Sequence, residues 1–222
     1  MLLEPIWQIF AEQLFNAPSP PELFNPYTGF HPDLDIPDAP AIRRQNLYNY
    51  LGSFTEMPAL LLVGEAPGPN GCRFSGVPFT NEHQLFHDLL PFKGQPTSQA
   101  DKLYAEVSAN VMWETIGACH PHFFLWNSIP FHPYHQDDYL SIRTPKVSEI
   151  RAHLHVLEAL LARLQPTHIL AVGRKAENAL KHLGAKTVYI RHPSHGGVKQ
   201  FKRGVRQYIQ EHQICPLPQQ KP

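Results

Sequence analysis

Runs of apolar residues alternate along this chain with segments whose apolar positions recur every three or four residues. Four runs read as buried strands: 59–65 (ALLLVGE), 122–127 (HFFLWN), 168–173 (HILAVG) and 186–191 (KTVYIR). The first and third are apolar on both faces, as parallel strands covered by helices are. Helical spacing marks 42–54, 82–90, 148–164 and 174–183, and a last helix lies near 198–212. In 148–164 the residues Ile150, Leu154, Leu157, Leu160, Leu161 and Leu164 form one stripe. A short helix is predicted near 4–16. The alternation predicts an α/β fold, a three-layer α/β/α sandwich with a mostly parallel central sheet of about four strands. The whole chain, 1–222, reads as one domain, with 1–55 as N-terminal helices and a proline-rich extension and 213–222 as a frayed tail.

Composition narrows the class. Of 222 residues, 42% are hydrophobic and 17% charged, enough to bury a core. No apolar run approaches the ~20 residues that span a bilayer. The start, MLLEPIWQIF, has no basic n-region and carries Glu4, so no secretory signal is expected. Proline, at 23 residues, is about twice its ordinary usage of ~5%, clustered in 17–40 and at the C-terminal end. Three cysteines, Cys72, Cys119 and Cys215, are odd in number and widely spaced. That excludes a disulfide framework or a thiolate metal site on spacing grounds, and a reducing, cytoplasmic setting is expected.

The net charge of zero hides a polarity. Residues 1–42 contain no Lys or Arg but six acidic residues, while 171–206 holds nine basic residues against Glu177 alone. Such a stretch draws phosphates or is simply a solvated helix face; charge alone does not choose. For the acidic N-terminal stretch three readings stand: a DNA mimic, a partner contact, or a cover for the sheet. The apolar stripe Trp7, Phe10, Leu14 and Phe15 favours the cover.

In open α/β sheets, ligands bind beyond the carboxyl ends of the strands. The first strand runs into Gly64-Glu65-Ala66-Pro67-Gly68 and on to Gly76-Val77-Pro78-Phe79. This is neither a P-loop nor GxGxxG, and its glycines let backbone approach a ligand closely. The second strand ends in Asn127, either a loop cap or a ligand-reading amide. The fourth runs into Arg191-His192-Pro193-Ser194-His195-Gly196-Gly197.

Taken together, these four segments resemble the uracil-DNA glycosylase superfamily. GEAPG is worded as in the iron–sulfur (family 4) members. The spacing from Gly64 to Phe79 is similar to that of the single-strand-selective monofunctional group. The strand HILAVGRKAENAL is also written as in these enzymes. The resemblance spans roughly 59–206 and leaves 1–55 and 93–118 unexplained.

The resemblance implies a monofunctional hydrolase that everts uracil from DNA and breaks its C1′–N1 bond. It implies that Phe79 stacks on the base and that the Asn127 amide reads its edge. His192 then donates to O2 as negative charge collects there. Gly64, Ala66 and Gly68 line the base site. Where the best-studied relatives place a water-positioning Asp or Asn, this chain has Ala66. Glu65, the nearest carboxylate, either aligns water or buttresses the loop. At Gly68, where strongly uracil-specific members carry a Tyr, glycine is expected to leave space at C5 for substituted uracils. Ser194, His195, Gly196 and Gly197 form the insertion loop, a slender wedge that suits single-stranded or mismatched DNA; the two glycines equally suit a tight turn. Lys199, Lys202 and Arg203 are the expected phosphate contacts.

No cofactor is expected, because the family's iron–sulfur members use four cysteines. Paired histidines (His120/His122 and His132/His135) lack an accompanying carboxylate motif, so no metal is assigned. A monomer is expected. Two other classes stay open: a catalytically weak or inactive binder of damaged or single-stranded DNA, and a metal-dependent hydrolase.

Overall fold

The computed structural model describes residues 3–216; the last part of the predicted tail, 217–222, lies outside the described residues. In chain order the elements are α1 (Leu3–Gln13), β1 (Leu23–Phe24), α2 (Ala39–Gly52), β2 (Leu60–Gly64), α3 (Cys72–Ser75), α4 (Glu82–Phe86), α5 (Val107–Ile116), β3 (Phe123–Asn127), β4 (His132–Pro133), α6 (Val147–Leu164), β5 (His168–Val172), α7 (Arg174–His182), β6 (Val188–Ile190) and α8 (Val198–Glu211). The four expected strands form one parallel sheet in the order β3-β2-β5-β6. Every residue of β2 and β3 is buried.

Side chains alternate between the two faces of a strand, and β3 shows what covers each. Phe123 meets Trp113 of α5 edge-on at 5.5 Å. Phe124 lies 5.4 Å from Tyr50 of α2, and Trp126 stacks on Phe10 of α1 at 4.7 Å. Helices α5 and α8 therefore pack together on one face, with α1 and α2 on the other, where α1 also meets α6. Ile6, Phe10 and Leu14 are wholly buried, and Trp7 packs on Phe15 at 4.8 Å. The N-terminal stripe does cover the sheet, as expected.

Differences from the predicted elements have local causes. The helix expected over 82–90 stops at Phe86 because Asp88 takes a left-handed φ of 53°. Its start is set by a capping box, in which Asn81 accepts from the Gln84 backbone and Gln84 from that of Asn81. The unassigned stretch 93–118 contains α5. Its preceding loop is gathered on buried Glu82, whose carboxylate accepts from the backbone N–H groups of Thr97 (2.5 Å) and Ser98 (2.8 Å).

The cysteine expectation is corrected. Cys119 and Cys215 form a disulfide with Cα atoms 5.6 Å apart. Ninety-six residues separate them in sequence, but α5 and α8 pack side by side, and each cysteine follows the end of one of them. Cys72 is free and buried. No helix among the described residues is long and apolar enough to cross a membrane.

Candidate base-binding site

All four predicted site segments end on one edge of the sheet. Gly64 closes β2 and sits in register beside Asn127, the last residue of β3. The Gly64 carbonyl accepts from both the N–H and the hydroxyl of Ser128, each at 2.8 Å, and Ile129 N–H donates to the Glu65 carbonyl. These bonds extend the strand pairing past the ends of β2 and β3. A Cβ on Gly64 would stand 2.5 Å from the Phe79 ring and 2.7 Å from Asn127 Oδ1. Glycine is therefore required here by close approach: it lets an aromatic ring and an amide meet over bare backbone.

Phe79 and Asn127 are 8% and 4% exposed. Phe79 has a φ of 53°, uncommon for a side chain of its size. Among the described residues the Asn127 amide makes no hydrogen bond, although buried amides ordinarily do.

His192 follows β6 at the other end of the edge. Its Cβ lies 3.6 Å from where a Cβ on Gly173 would be, and Gly173, just past β5, donates to the Ile190 carbonyl at 2.9 Å. Asn127 and His192 are thus separated by three strand spacings, about 14 Å at ~4.8 Å each. Between them the edge is floored by Gly64 and Gly173.

The protonation of His192 follows from its neighbours. The backbone N–H of Ser194 donates to His192 Nδ1 at 3.1 Å, so Nδ1 is an acceptor and the neutral ring carries its proton on Nε2. Burial, with Arg191 and His195 adding to it, holds the His192 pKa down at about 4. The ring is a neutral Nε2–H donor at physiological pH.

The first loop is held from behind. His132, fully buried, places Nδ1 2.8 Å from the Pro67 carbonyl and Nε2 3.2 Å from that of Tyr139. Burial lowers its pKa to about 4, so the neutral ring donates to one carbonyl, and the shorter contact is to Pro67. Buried Arg73 in α3 is bound through both terminal nitrogens to buried Asp35 and lies over Phe24 at 4.4 Å and Phe74 at 4.1 Å. Arg43 shares Asp35. The acidic N-terminal stretch thereby contributes a carboxylate that anchors the glycine loop, a role charge counting alone does not suggest.

The remaining predicted residues fall as follows. Ala66 is half-buried and offers no polar side-chain group. Glu65 is half-buried, its pKa raised by burial and opposed by the Lys175 ammonium. Gly197 is needed where it is, since a Cβ there would lie 2.0 Å from the His192 carbonyl oxygen. Gly196 has a φ of 75° with open space around it, and His195 beside it is exposed. Lys199 and Arg203 are exposed on α8, whereas Lys202 is engaged by Glu114 at 2.8 Å, so its charge is already answered.

One expectation is overturned at Gly68. The space where a side chain would stand is filled by the carboxyl group of Glu106, whose Oε2 would be 1.9 Å from a Cβ on Gly68. Glu106 precedes α5, inside the stretch without an assigned element, and no spacing rule connects it to the glycine loop. His132 escapes sequence reasoning for a similar reason, since it registers there only as half of a histidine pair. Among the described residues no three metal-ligating side chains converge. His122 pairs with Glu56 at 2.5 Å and His120 faces the Ser53 carbonyl at 3.1 Å. A surface groove of about 400 Å³ between α6 and α7 is lined by Lys175, the cation that opposes Glu65, but by none of the predicted site residues.

One edge of the parallel sheet thus carries an aromatic ring and an amide over Gly64 and, three strands along, an imidazole beside Gly173. A profile of the uracil DNA glycosylase superfamily matches residues 51–219, and the chain belongs to that superfamily, whose members act on DNA as glycosylase hydrolases. The crystal structure of wild-type Pedobacter heparinus SMUG2 is similar in fold. The TM-score is 0.62 at 18% sequence identity, over 96% of this chain and 95% of that one. No curated protein matches the sequence at a significant level.

Proposed function

We propose that this protein is a monofunctional uracil-DNA glycosylase that hydrolyses the C1′–N1 bond of uracil everted from DNA. The observation that carries this reading is Asn127, a residue 4% exposed whose amide has no hydrogen-bond partner among the described residues, with its Oδ1 over Gly64 where the Phe79 ring also lies. In such a site the amide N–H₂ donates to O4 and Oδ1 accepts from N3–H. Cytosine presents the opposite pattern and leaves both groups unpaired, which disfavours it. Phe79 supplies the stacking face.

Cleavage separates an oxocarbenium-like sugar from a uracil anion whose charge gathers at O2. The Nε2–H of His192, fixed by the Ser194 N–H on the opposite nitrogen, is the donor aimed at that oxygen. A neutral donor helps most as charge develops, because it costs no reorganisation at that moment. No side chain at Ala66 orients the water, so the sugar cation is captured by water held by backbone, by Glu65 or by the DNA. No lysine lies in the four motifs to form a Schiff base, so strand cleavage is not part of the reaction. The open turn at Gly196 inserts no bulk into the stack, which favours uracil in unpaired or mismatched DNA.

Ala66 specifically favours a second reading, a binder that holds uracil in DNA without releasing it. A fluorescent uracil oligonucleotide, incubated and then treated with alkali, decides. Cleavage at the uracil supports the glycosylase, and retention without cleavage supports the binder. A covalent adduct after borohydride overturns the monofunctional assignment.

A further inference from the structure

We propose that the groove between α6 and α7 is a docking site for an acidic amphipathic helix of a partner protein. The inference is independent of what the base site does, since none of the predicted site residues lines the groove. Connectivity places it. Helix α6 delivers the chain to the start of β5 and α7 departs from its end, so both helices begin at the sheet edge that carries the site. They pack against each other and run side by side, each opposite in direction to β5. The groove between them starts at Val147 and Lys175, in the first turns of α6 and α7.

The floor is aliphatic and the rim is cationic. Ile150 and Leu154 of α6 and Ala179 of α7 are buried along the floor. Val147 stands three residues before Ile150, on the same face of α6, and is 55% exposed. Arg151, Lys175 and Lys181 line the groove, and no Asp or Glu does. Of these three cations, only Lys181 enters an ion pair among the described residues, with Glu177 at 2.8 Å. Lys175 acts on the Glu65 carboxyl from a distance, without pairing to it. Arg151 and Lys175 therefore keep charges that a partner can answer.

The occupant follows from that pairing of surfaces. A volume of about 400 Å³ accommodates anchoring side chains, and two helices lying side by side leave a lengthwise seat for a third. A helix with aliphatic anchors at i, i+3 or i+4 and i+7 reaches the floor, and Asp and Glu beside those anchors meet the rim. Covering Val147 supplies apolar burial, and the charges set orientation and exclude basic or neutral segments. Single-stranded DNA is drawn to the same cations. Its bases, however, are held by stacking on aromatic rings, and no Phe, Tyr or Trp lines this groove.

The test selects a displayed library of helical peptides, random on one face, against the full-length wild type. The enriched peptide, labelled with a fluorophore, is then titrated with the wild type and with Val147→Glu/Arg151→Glu. Both positions are exposed, so the variant should keep the wild-type melting temperature. Selection should enrich acidic residues around aliphatic anchors, and the double variant should bind the peptide at least about tenfold more weakly. If the double variant melts early, Arg151→Gln alone is read, with an expected loss of about fivefold. Enrichment of peptides without acidic residues, or wild-type affinity in the variant read, overturns the proposal. So does a uracil-containing single strand that loses as much affinity as the peptide in that variant, because the groove would then belong to the path of the DNA.

Discussion

The two ends of the pocket are built in opposite ways. At the Asn127 end, support comes from far along the chain. Gly64 is tied to Ser128, 64 residues away, His132 reaches Pro67 across 65, and Tyr50 OH accepts from Leu125 N–H across 75. At the His192 end, support is local. The ring is held by Ser194, two residues on, that loop closes with Gly197 N–H on the Ser194 carbonyl, and Arg191 bonds the carbonyl of His195. His195 and Gly196 both take positive φ. The end proposed to recognise the base is thus part of the folded core, whereas the end proposed to act on the leaving group rides on a short loop. Recognition needs fixed geometry before binding, and a loop is where DNA can be accommodated.

The largest expected effect tests the distant support. Asp35→Asn removes the only acidic partner of the buried Arg43 and Arg73 among the described residues. Breaking a buried pair from one side costs about 3–5 kcal/mol, or a Tm lower by ~10 °C in a domain of this size. Thermal unfolding of Asp35→Asn beside Ser194→Ala measures it. The comparison breaks if the loop substitution destabilises as much as the core one.

Next come the two polar ends themselves. Asn127→Ala should weaken binding of a uracil oligonucleotide as well as slow release. His192→Ala should leave binding nearly intact and slow release about 10²–10³-fold, the ordinary cost of one donor to a developing oxyanion. Single-turnover rates together with binding of the 2′-fluoroarabino analogue separate the two profiles. Identical profiles would merge the ends into one function.

This division also explains what could be seen in the sequence. The strands were legible because full burial makes them continuous apolar runs, and the edge was legible because each motif immediately follows such a run. Gly64, Phe79, Asn127 and His192 stand at strand ends or in glycine-rich loops, where local pattern carries information. Glu106, His132 and Asp35 stand in irregular segments, and their importance comes from what they meet across 38 or more residues. The disulfide was hidden in the same way, since spacing says nothing about two segments that packing brings together. Long-range buried polar contacts leave no periodicity to read.

A smaller effect sharpens the loop end. Ser194→Ala removes the hydroxyl near His192 Nδ1, at 2.8 Å, but keeps the backbone N–H that also reaches it. The loss should be about 1 kcal/mol, near fivefold in base-release rate. A loss as large as that of His192→Ala would show that the hydroxyl, not the backbone, sets the ring.

The smallest expected change is none at all. With the His192 pKa near 4, its ring nitrogens should show no titration by ¹⁵N NMR between pH 8 and about 5, with Nε2 bearing the proton throughout. The accompanying stability effect has a definite sign. The folded state binds a proton on His192, and on His132, only near pH 4, while the unfolded chain does so near the ordinary value of 6.5. The unfolded state therefore holds more protons between those limits, and stability falls as pH drops from about 6.5 toward 4. His192→Gln should remove part of that slope and leave the share of His132. A ring that titrates near 6.5 would mean that water reaches Nδ1 freely, and the loop would then fail to present a fixed neutral donor to the base.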